Sequence, residues 1–325
     1  SRVTNQASRI RSRDTPGLML PISIKSGRRN LLYTRRSCNP VSDLFPLLMT
    51  ISSSLIELIV SICHERDLPA ITHLHRPPQV VTEGRHRKFG MIALADGSCG
   101  FFYTRFDDTL SRLMACDPAQ ILAASPLELL RQFDSADPLE KALALGVLNA
   151  ASQHLLRAGG YALDLTHDPM GQIDLTRAKH VGMVGFFPPL VDSLANRHDV
   201  ALTVIEKDEQ FFDWPGDFLV TSDTRRLGDC DRVLITGSTL MNNSLDDVLA
   251  CCDQAAQIAL IGPTASCLPD PLFERGIDVI GSTTVVDLNQ LLPRLAAGES
   301  WGIGTAKYCI SRKNYPGIHK LLGNN

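Results

Sequence analysis

The sequence lacks an apolar run long enough to cross a bilayer. Its most apolar early stretch, LFPLLMTISSSLIELIVSI, is interrupted by Pro46, by three serines and by Glu57. A transmembrane helix needs roughly 20 consecutive apolar residues, and this stretch falls short of that length. We therefore expect no membrane-spanning segment and no membrane partner.

The sequence also lacks a regular cysteine framework. Its 9 cysteines are odd in number and show no CxxC spacing, which favours reduced thiols and a cytoplasmic location over a secreted disulfide scaffold. The adjacent pair Cys251 and Cys252 lies in a predicted helix, where neighbouring side chains point about 100° apart. We expect these two thiols to be structural.

No GxSxG, HExxH, P-loop or kinase signature is present, so no reaction class is indicated and catalysis stays an open question.

The charge is unevenly distributed. Residues 1–37 carry nine Lys and Arg and one acidic residue, Asp14, which gives this segment a charge of about +8. Since the net charge of the whole chain is −3, the rest of the chain carries about −11. The leader, residues 1–48, has the composition of a transit peptide. We favour a disordered or non-native extension, because Met49 makes a sensible start. The remaining chain is acidic, and we expect no nucleic-acid partner.

Residues 49–168 have the pattern of an α+β domain. A helical periodicity begins at Ser53, and Asp96-Gly97 between two apolar runs indicates a β-hairpin. Capping boxes at Ser125 and Asp137 each start a helix, the second of which is long and should end at Gly159-Gly160.

In residues 169–305 the pattern is different: short runs of β-branched residues occur without alternation of apolar and polar positions. These runs are HVGMVGFF, VALTVIEK, DRVLITGS, QIALIGPT and IDVIGSTT. Strands of this kind are covered on both faces, which predicts a parallel, doubly wound, Rossmann-like sheet. The fold class is therefore α/β, with a smaller α+β domain first. Residues 306–325 are left as a C-terminal tail.

Four of these strands end in glycine, at Gly185, Gly237, Gly262 and Gly281, and three continue into hydroxyl-rich loops. Because the carboxyl ends of parallel strands share one edge, we expect these loops to converge on a ligand crevice. For any single loop, a tight turn explains the glycine equally well.

The first loop argues against a dinucleotide, because a pyrophosphate cradle needs GxGxxG and free N–H groups. The loop instead supplies Pro188 and Pro189, which have no N–H. Phe186 and Phe187 could cover a planar group or pack in the core. In the stretch LITGSTLMNNSLDDVL, Asp246 and Asp247 already place negative charge at a helix start. A neutral polar group or a cation therefore suits this edge better than phosphate.

Glu206 follows the second strand, where an acidic residue binds ribose in dinucleotide enzymes. A solvated charge at the end of a strand is an equal alternative.

Four histidines, His64, His73, His75 and His86, fall within a short segment. A metal site is one interpretation, but no acid or cysteine completes a known signature, so surface or structural histidines are favoured.

The phrases HVGMVGFFPPLV, DRVLITGSTLMNNSLDDVL, ALIGPTASCLPDPLFERGIDVIGSTTV and ALGVLNA together resemble the putative heavy-metal chelation family, a domain of unknown function. The resemblance implies an enolase-N-terminal-like domain followed by a Rossmann-like domain, with a divalent heavy metal as the ligand. It also implies a site in the interdomain cleft formed by Gly185, Phe187, Pro188, Glu206, Thr236, Gly237, Thr239, Asn242, Gly262, Pro263, Thr264 and Asn149.

Three functions follow from these patterns. The first is a small-ligand binding protein that takes a heavy metal, a metal chelate or a small polar metabolite in the interdomain cleft. The second is an enzyme that uses adenosylmethionine or a nicotinamide cofactor at the same edge. The third is a non-catalytic interaction protein, and homo-oligomerisation is left open.

Overall fold

The computed structural model describes residues 49–77, 88–165, 173–195 and 197–323. They form a mixed α/β structure with a three-stranded antiparallel sheet and a seven-stranded, mostly parallel sheet. The predicted fold class is confirmed at this level. The leader, residues 1–48, lies outside the described residues.

The first part of the chain carries the small sheet and a long central helix. Its elements are α1 (Ile51–Ile62), β1 (Ile71–His75), β2 (Phe89–Leu94), β3 (Cys99–Tyr103), α2 (Thr109–Ala115), α3 (Pro118–Ala123), α4 (Pro126–Arg131) and α5 (Pro138–Ala158). Strands β2 and β3 form the predicted hairpin, and Gly97 adopts φ +83° in its turn. The Asp-Gly pair was therefore a correct turn signal, because glycine accepts this angle without steric cost.

Helix α5 begins and ends where its caps predicted. The Asp137 carboxylate accepts the N–H groups of Leu139 and Glu140 at 2.9 and 3.0 Å, and the helix ends at a Gly159 cap. Nearly every residue between Lys141 and Leu156 is buried, because the helix packs on the small sheet on one side and on loops of the large sheet on the other. This position makes α5 one link between the two sheets, and a second is the cluster in which Met91 and Phe101 pack with Leu291, from the part of the chain that forms the large sheet.

The large sheet begins after residue 173. Its elements are β4 (His180–Val184), α6 (Pro188–Ala195), β5 (Ala201–Ile205), β6 (Leu219–Thr221), β7 (Arg232–Thr236), α7 (Leu245–Ala250), β8 (Gln257–Ile261), α8 (Asp270–Glu274), β9 (Val279–Val285), α9 (Leu288–Ala296), β10 (Thr305–Ser311) and α10 (Ile318–Leu321). The strand order is β10-β9-β8-β7-β4-β5-β6, so the chain winds outward from β4 in both directions. The order reverses between β4 and β7, the position at which doubly wound sheets bind ligands.

Two strands of this sheet were not anticipated. Strand β6 has three residues at the sheet edge, which is too short for a recognisable pattern. Strand β10 lies in the segment predicted to be a tail from residue 306; it pairs antiparallel with β9 and buries Tyr308 completely. Within the ranges described, none of the helices combines the length and apolar character that crossing a membrane requires.

Candidate functional site

The loops that follow β4, β7 and β8 lie side by side at the carboxyl edge of the large sheet. A Cβ atom added to Gly185 would lie 2.9 Å from Thr236 Cγ2, and one added to Gly237 would lie 2.7 Å from Thr264 Oγ1. Gly262 adjoins the same place, since its added Cβ would lie 3.7 Å from the nitrogen of Gly237. We call the edge formed by residues 185–188, 236–239 and 262–264 the rim. The convergence predicted for the loops at Gly185, Gly237 and Gly262 is observed, whereas Gly281 does not end a strand, because it lies inside β9, which continues to Val285. The role of the rim in binding stays a prediction.

Gly185 is required by both conformation and space. Its φ is +88°, a region that other residues enter at a cost of about 1–2 kcal/mol, and a side chain there would press on Thr236. Pro188 then opens α6 as predicted. The backbone of the first loop therefore passes close to Thr236 of β7.

The hydroxyl groups of the second loop divide into an inner and an outer set. Thr239 is only 3% exposed, and its Oγ1 donates to the Thr236 carbonyl at 2.7 Å, so it holds the turn. Thr236 and Ser238 are half-buried, with their hydroxyl oxygens 3.1 Å apart. These two hydroxyls are the accessible ones. Ser238 was missed as a separate candidate, although the TGST stretch contains it.

Glu206 links two loops, because its carboxylate accepts hydrogen bonds from backbone N–H groups of both. Its Oε2 accepts the Phe186 N–H at 3.0 Å, and its Oε1 accepts the N–H groups of Lys207 and Asp208 at 2.7 and 3.2 Å. Three of the four lone-pair positions of the carboxylate are therefore occupied. The residue positions the first loop at the rim, and little of its carboxylate is left for ribose hydroxyls.

The end of the stretch LITGSTLMNNSLDDVL binds other parts of the protein itself. The Asn242 Oδ1 accepts both the N–H and the Oγ of Ser244, at 3.2 and 2.6 Å. The next residue, Asn243, accepts the Lys141 ammonium at 2.7 Å, and Asp246 accepts the Ile51 N–H at the start of α1 at 3.2 Å. Asn242 therefore caps its own turn, whereas Asn243 bonds to α5 and Asp246 bonds to the start of α1.

The buried ammonium of Lys141 was not recognised from the sequence. Burial lowers its pKa to about 8. The ammonium also donates to the Phe133 carbonyl at 2.6 Å and lies 4.4 Å from the centre of the Phe133 ring. Two hydrogen-bond acceptors and one aromatic face of the fold therefore surround the ammonium.

Asn149 lies beneath the rim as a tie between the sheets. Its side chain is 0% exposed, and its Nδ2 donates to the carbonyls of Phe101 in β3 and Thr264 in the third rim loop, at 2.9 and 3.0 Å. About one turn further along α5, two more side chains hold the same loop. Gln153 donates to the Ser266 carbonyl at 3.2 Å, and Ser152 accepts the Leu268 N–H at 3.0 Å. Helix α5 thus holds the loop after β8 in place.

Aromatic rings cover the outer side of the first rim loop. Phe186 stacks on Phe211 with ring centres 4.5 Å apart and planes 17° apart, and Trp214 lies 4.8 Å from Phe186. Phe187 is half-buried against the core of the large sheet. Phe186 is half-buried against the same core, and its ring additionally contacts the rings of Phe211 and Trp214.

The histidine cluster has no metal-binding geometry within the residues described. No group of three or more His, Cys, Asp or Glu side chains could hold an ion there, and His86 lies outside the described ranges. His73 and His75 share one face of β1, as expected for alternate residues of a strand. Burial, with the charge of His73 second, lowers the pKa of His75 to about 4.

The low pKa of His75 predicts acid sensitivity. Above pH 6.5 the imidazole is neutral in both states; between pH 6.5 and 4 only the unfolded chain takes up the proton, so stability falls as the pH falls. From this group we expect a loss of about 2 kcal/mol at pH 5 relative to pH 7. Urea unfolding of the wild type and His75→Gln at both pH values measures it, with exposed His198→Gln as the control. Equal pH dependence in all three proteins would contradict the assignment.

Two cavities of the described region lie away from the rim. One, of about 450 Å³, adjoins the end of α5 and is lined by Leu156, Leu163 and Thr284 among others. The other, of about 240 Å³, lies between Cys63 and Ser125. The rim itself is half-buried at Gly185, Thr236 and Ser238 and buried at Gly237, Thr239 and Thr264.

Comparison with known proteins finds a family model that matches the large sheet. Residues 168–313 match the DUF364 family model, described as putative heavy-metal chelation. The family resemblance predicted from the sequence is confirmed. The DUF364 match covers the large sheet and all three rim loops, whereas α5 and the small sheet lie outside it.

Relatives of known structure share the DUF364 fold. A DUF364 protein of unknown function from Pyrococcus horikoshii is 20% identical, with a TM-score of 0.59 over 81% of this chain and 100% of that one. One from Desulfitobacterium hafniense is 19% identical, with a TM-score of 0.58 over 80% and 99%. At these identities the similarity shows the fold alone.

A curated relative is an uncharacterised protein of Methanocaldococcus jannaschii, 30% identical over 165 residues. The match spans 51% of this chain and 62% of that relative's length. It supports the family assignment and carries no information about a ligand.

Proposed function

We propose that this protein binds a small polar ligand at the rim and that this ligand carries a divalent heavy metal as an organic chelate. The observation that supports the proposal best is the contact of three loops, far apart in sequence, at Gly185, Thr236 and Gly262. They meet at the strand-order reversal of a sheet that we regard as Rossmann-like, where such sheets bind ligands. The assignment of the small sheet as enolase-N-terminal-like stays a prediction.

A chelate fits the rim better than a bare ion. Heavy divalent metals prefer thiolate, imidazole and carboxylate ligands, and no cluster of three such groups occurs among the described residues. The rim offers the hydroxyls of Thr236 and Ser238 and backbone atoms instead. Neutral donors and acceptors of this kind recognise an organic molecule, and the family description supports a metal as its cargo.

The nucleotide-cofactor alternative gains no support from the geometry. The acidic residue that would bind the ribose, Glu206, is bonded to three backbone N–H groups. The first loop begins α6 with Pro188 and Pro189, so it lacks donors that a pyrophosphate would use.

Gly185→Ala should abolish ligand binding at the rim. The added methyl group would lie 2.9 Å from Thr236 Cγ2 and would fill the space where the first two loops meet. Thermal unfolding is measured with nickel(II) as the aqua ion, as the citrate complex and as the ethylenediamine complex. In the wild type, a chelate at a hundredfold excess over its Kd should stabilise by about 2.7 kcal/mol, and the variant should lose this shift.

Gly276→Ala is the matched control, because Gly276 has φ +93° and open space around its Cβ position, and it precedes β9 at the opposite edge. It should cost similar stability and keep the ligand-induced shift. Stabilisation by the aqua ion equal to that by the chelates would argue for direct protein ligands. A response only to adenosylmethionine or NAD⁺ would support the enzyme alternative.

A further inference from the structure

The loop between β5 and β6 stays near the carboxyl edge of the large sheet. Strand β6 pairs in parallel with the last three residues of β5, so the chain returns to the sheet close to the edge where it left. The Glu206 N–H donates to the Thr221 carbonyl at 2.9 Å, which fixes the start of the loop beside the end of β6. We call residues 206–218 the aromatic loop. The strand pairing places it at the same edge as the rim.

Side-chain and backbone contacts hold the aromatic loop against the first rim loop. The Phe211 ring stacks on the ring of Phe186, a rim residue, with ring centres 4.5 Å apart. The centre of the Trp214 ring lies 4.8 Å from that of Phe186, and the Glu206 carboxylate accepts the Phe186 N–H at 3.0 Å. These contacts join the loop to a residue of the rim, and they place Trp214 directly beside it.

The aromatic loop and the start of β6 expose apolar surface. Seven large apolar side chains of the described residues are exposed, and three of them, Phe212, Trp214 and Leu219, lie close together in the chain. Trp214 is 36% exposed although it packs against Phe186, so part of its indole contacts the rim and part is free. Exposed apolar groups concentrated in this way mark the contact surface of a ligand or partner.

The same loop is strongly acidic. Residues 206–218 contain five acidic residues and one lysine, a net charge of −4. Asp208, Glu209, Asp213 and Asp217 are exposed, so their field reaches the solvent and acts over about 8 Å at physiological salt. This field attracts cations and repels anions, and the negative face of an aromatic ring also attracts cations. The loop therefore suits a positively charged molecule with a flat face.

We propose that the ligand of the rim is a cationic metal chelate with a flat aromatic ring, which stacks on the indole of Trp214. The inference rests on the proposed function and specifies it, because the organic part of the chelate is then a planar nitrogen heterocycle. Neutral heterocycles of this kind leave the charge of a divalent metal uncompensated, so the whole complex is a cation. Polycarboxylate chelates are anions, which the acidic loop repels.

The test compares three nickel(II) complexes by calorimetry. The bipyridine and ethylenediamine complexes are both cations and differ in their aromatic rings, whereas the citrate complex is an anion. We expect the wild type to bind the bipyridine complex about tenfold more tightly than the ethylenediamine complex, because stacking and cation–π attraction are added at equal charge. The citrate complex should bind most weakly.

Variants of the aromatic loop separate the ring from the charge. Trp214→Leu should remove the preference for the bipyridine complex, and Trp214→Phe should keep part of it. Phe212→Leu is the matched control, because Phe212 lies on the same loop and is 37% exposed; it should retain the full preference. Asp213→Asn combined with Asp217→Asn should weaken both cationic complexes by about threefold and leave their ratio unchanged.

Fluorescence locates the ligand independently. The chain has 2 tryptophans: Trp214 precedes β6 and Trp301 precedes β10, the two outermost strands of the sheet, roughly 29 Å apart at about 4.8 Å per strand spacing. A nickel(II) complex quenches an indole that it touches. The bipyridine complex should therefore quench Trp301→Phe, which keeps Trp214, far more strongly than Trp214→Phe. Light absorbed by the complex affects both proteins equally.

The outcomes distinguish this inference from the proposed function. If Trp214→Leu keeps the preference for the bipyridine complex while Gly185→Ala loses binding, the role of Trp214 is overturned and the rim stands. Equal affinity of the wild type for the bipyridine and ethylenediamine complexes, or equal quenching of both single-tryptophan proteins, overturns the inference in the same way. If the wild type binds none of the three complexes, both proposals fail. Binding of the bipyridine complex that Gly185→Ala leaves unchanged also overturns both, because the ligand is then not at the rim.

Discussion

Gly100→Ala should lower the free energy of unfolding by roughly 3–5 kcal/mol, more than other single methyl additions to this protein. A Cβ atom on Gly100 would lie 2.1 Å from the Gly146 carbonyl oxygen and 2.4 Å from the Ala150 nitrogen of α5. Both are backbone atoms, so no side-chain rotation relieves the overlap. Strand β3 and helix α5 must separate, and the core they share must open.

Urea unfolding monitored by circular dichroism measures this effect. Gly302→Ala is the control, because its added Cβ would have Ser300 Oγ at 3.7 Å as its nearest neighbour; we expect a change below about 1 kcal/mol there. A Gly100→Ala protein as stable as wild type would mean that α5 and β3 are farther apart than described.

Asn149→Ala should cost about 2–4 kcal/mol even without any ligand. The substitution removes a side-chain donor that bonds to the carbonyls of both Phe101 and Thr264, and each buried carbonyl left without a partner costs about 1–3 kcal/mol. The third rim loop loses its tie to α5 at the same time. We therefore expect weaker chelate binding as a secondary result, through a looser loop.

Asn242→Ala provides the comparison, since Asn242 is exposed and its side chain, within the part of the chain described, bonds to Ser244 alone; its loss should cost about 1 kcal/mol or less. Denaturation of both variants without ligand decides between a structural tie and a ligand contact. If Asn149→Ala were as stable as wild type and lost only chelate binding, the tie would be refuted and direct contact supported.

The secondary structure was predictable where local chemistry decides it. The Asp137 cap and the Gly159 end of α5 depend on neighbours a few residues away, and the hairpin depends on Gly97 itself. The covered strands were visible as β-branched runs, because a strand buried on both faces has no polar alternation. Strands β6 and β10 were not predicted, since one is very short and the other was assigned to a tail.

The sequence predicted that the rim loops lie close together, but it did not predict what each rim residue does. Parallel strands bring their carboxyl ends together whatever the loops contain, so Gly185, Gly237 and Gly262 were correctly expected to lie close. The roles of Glu206, Asn242 and Asn149 were not deducible. Each was named as a ligand group, and each is bonded to the protein's own backbone or caps.

The sequence by itself determined the helices, the covered strands and the edge where the loops meet, because caps, turns and periodicity act over a few residues. Only the tertiary structure decided which polar side chains are already satisfied. Asn149 and Thr264 are 115 residues apart, and a hydrogen bond over that distance leaves no local pattern.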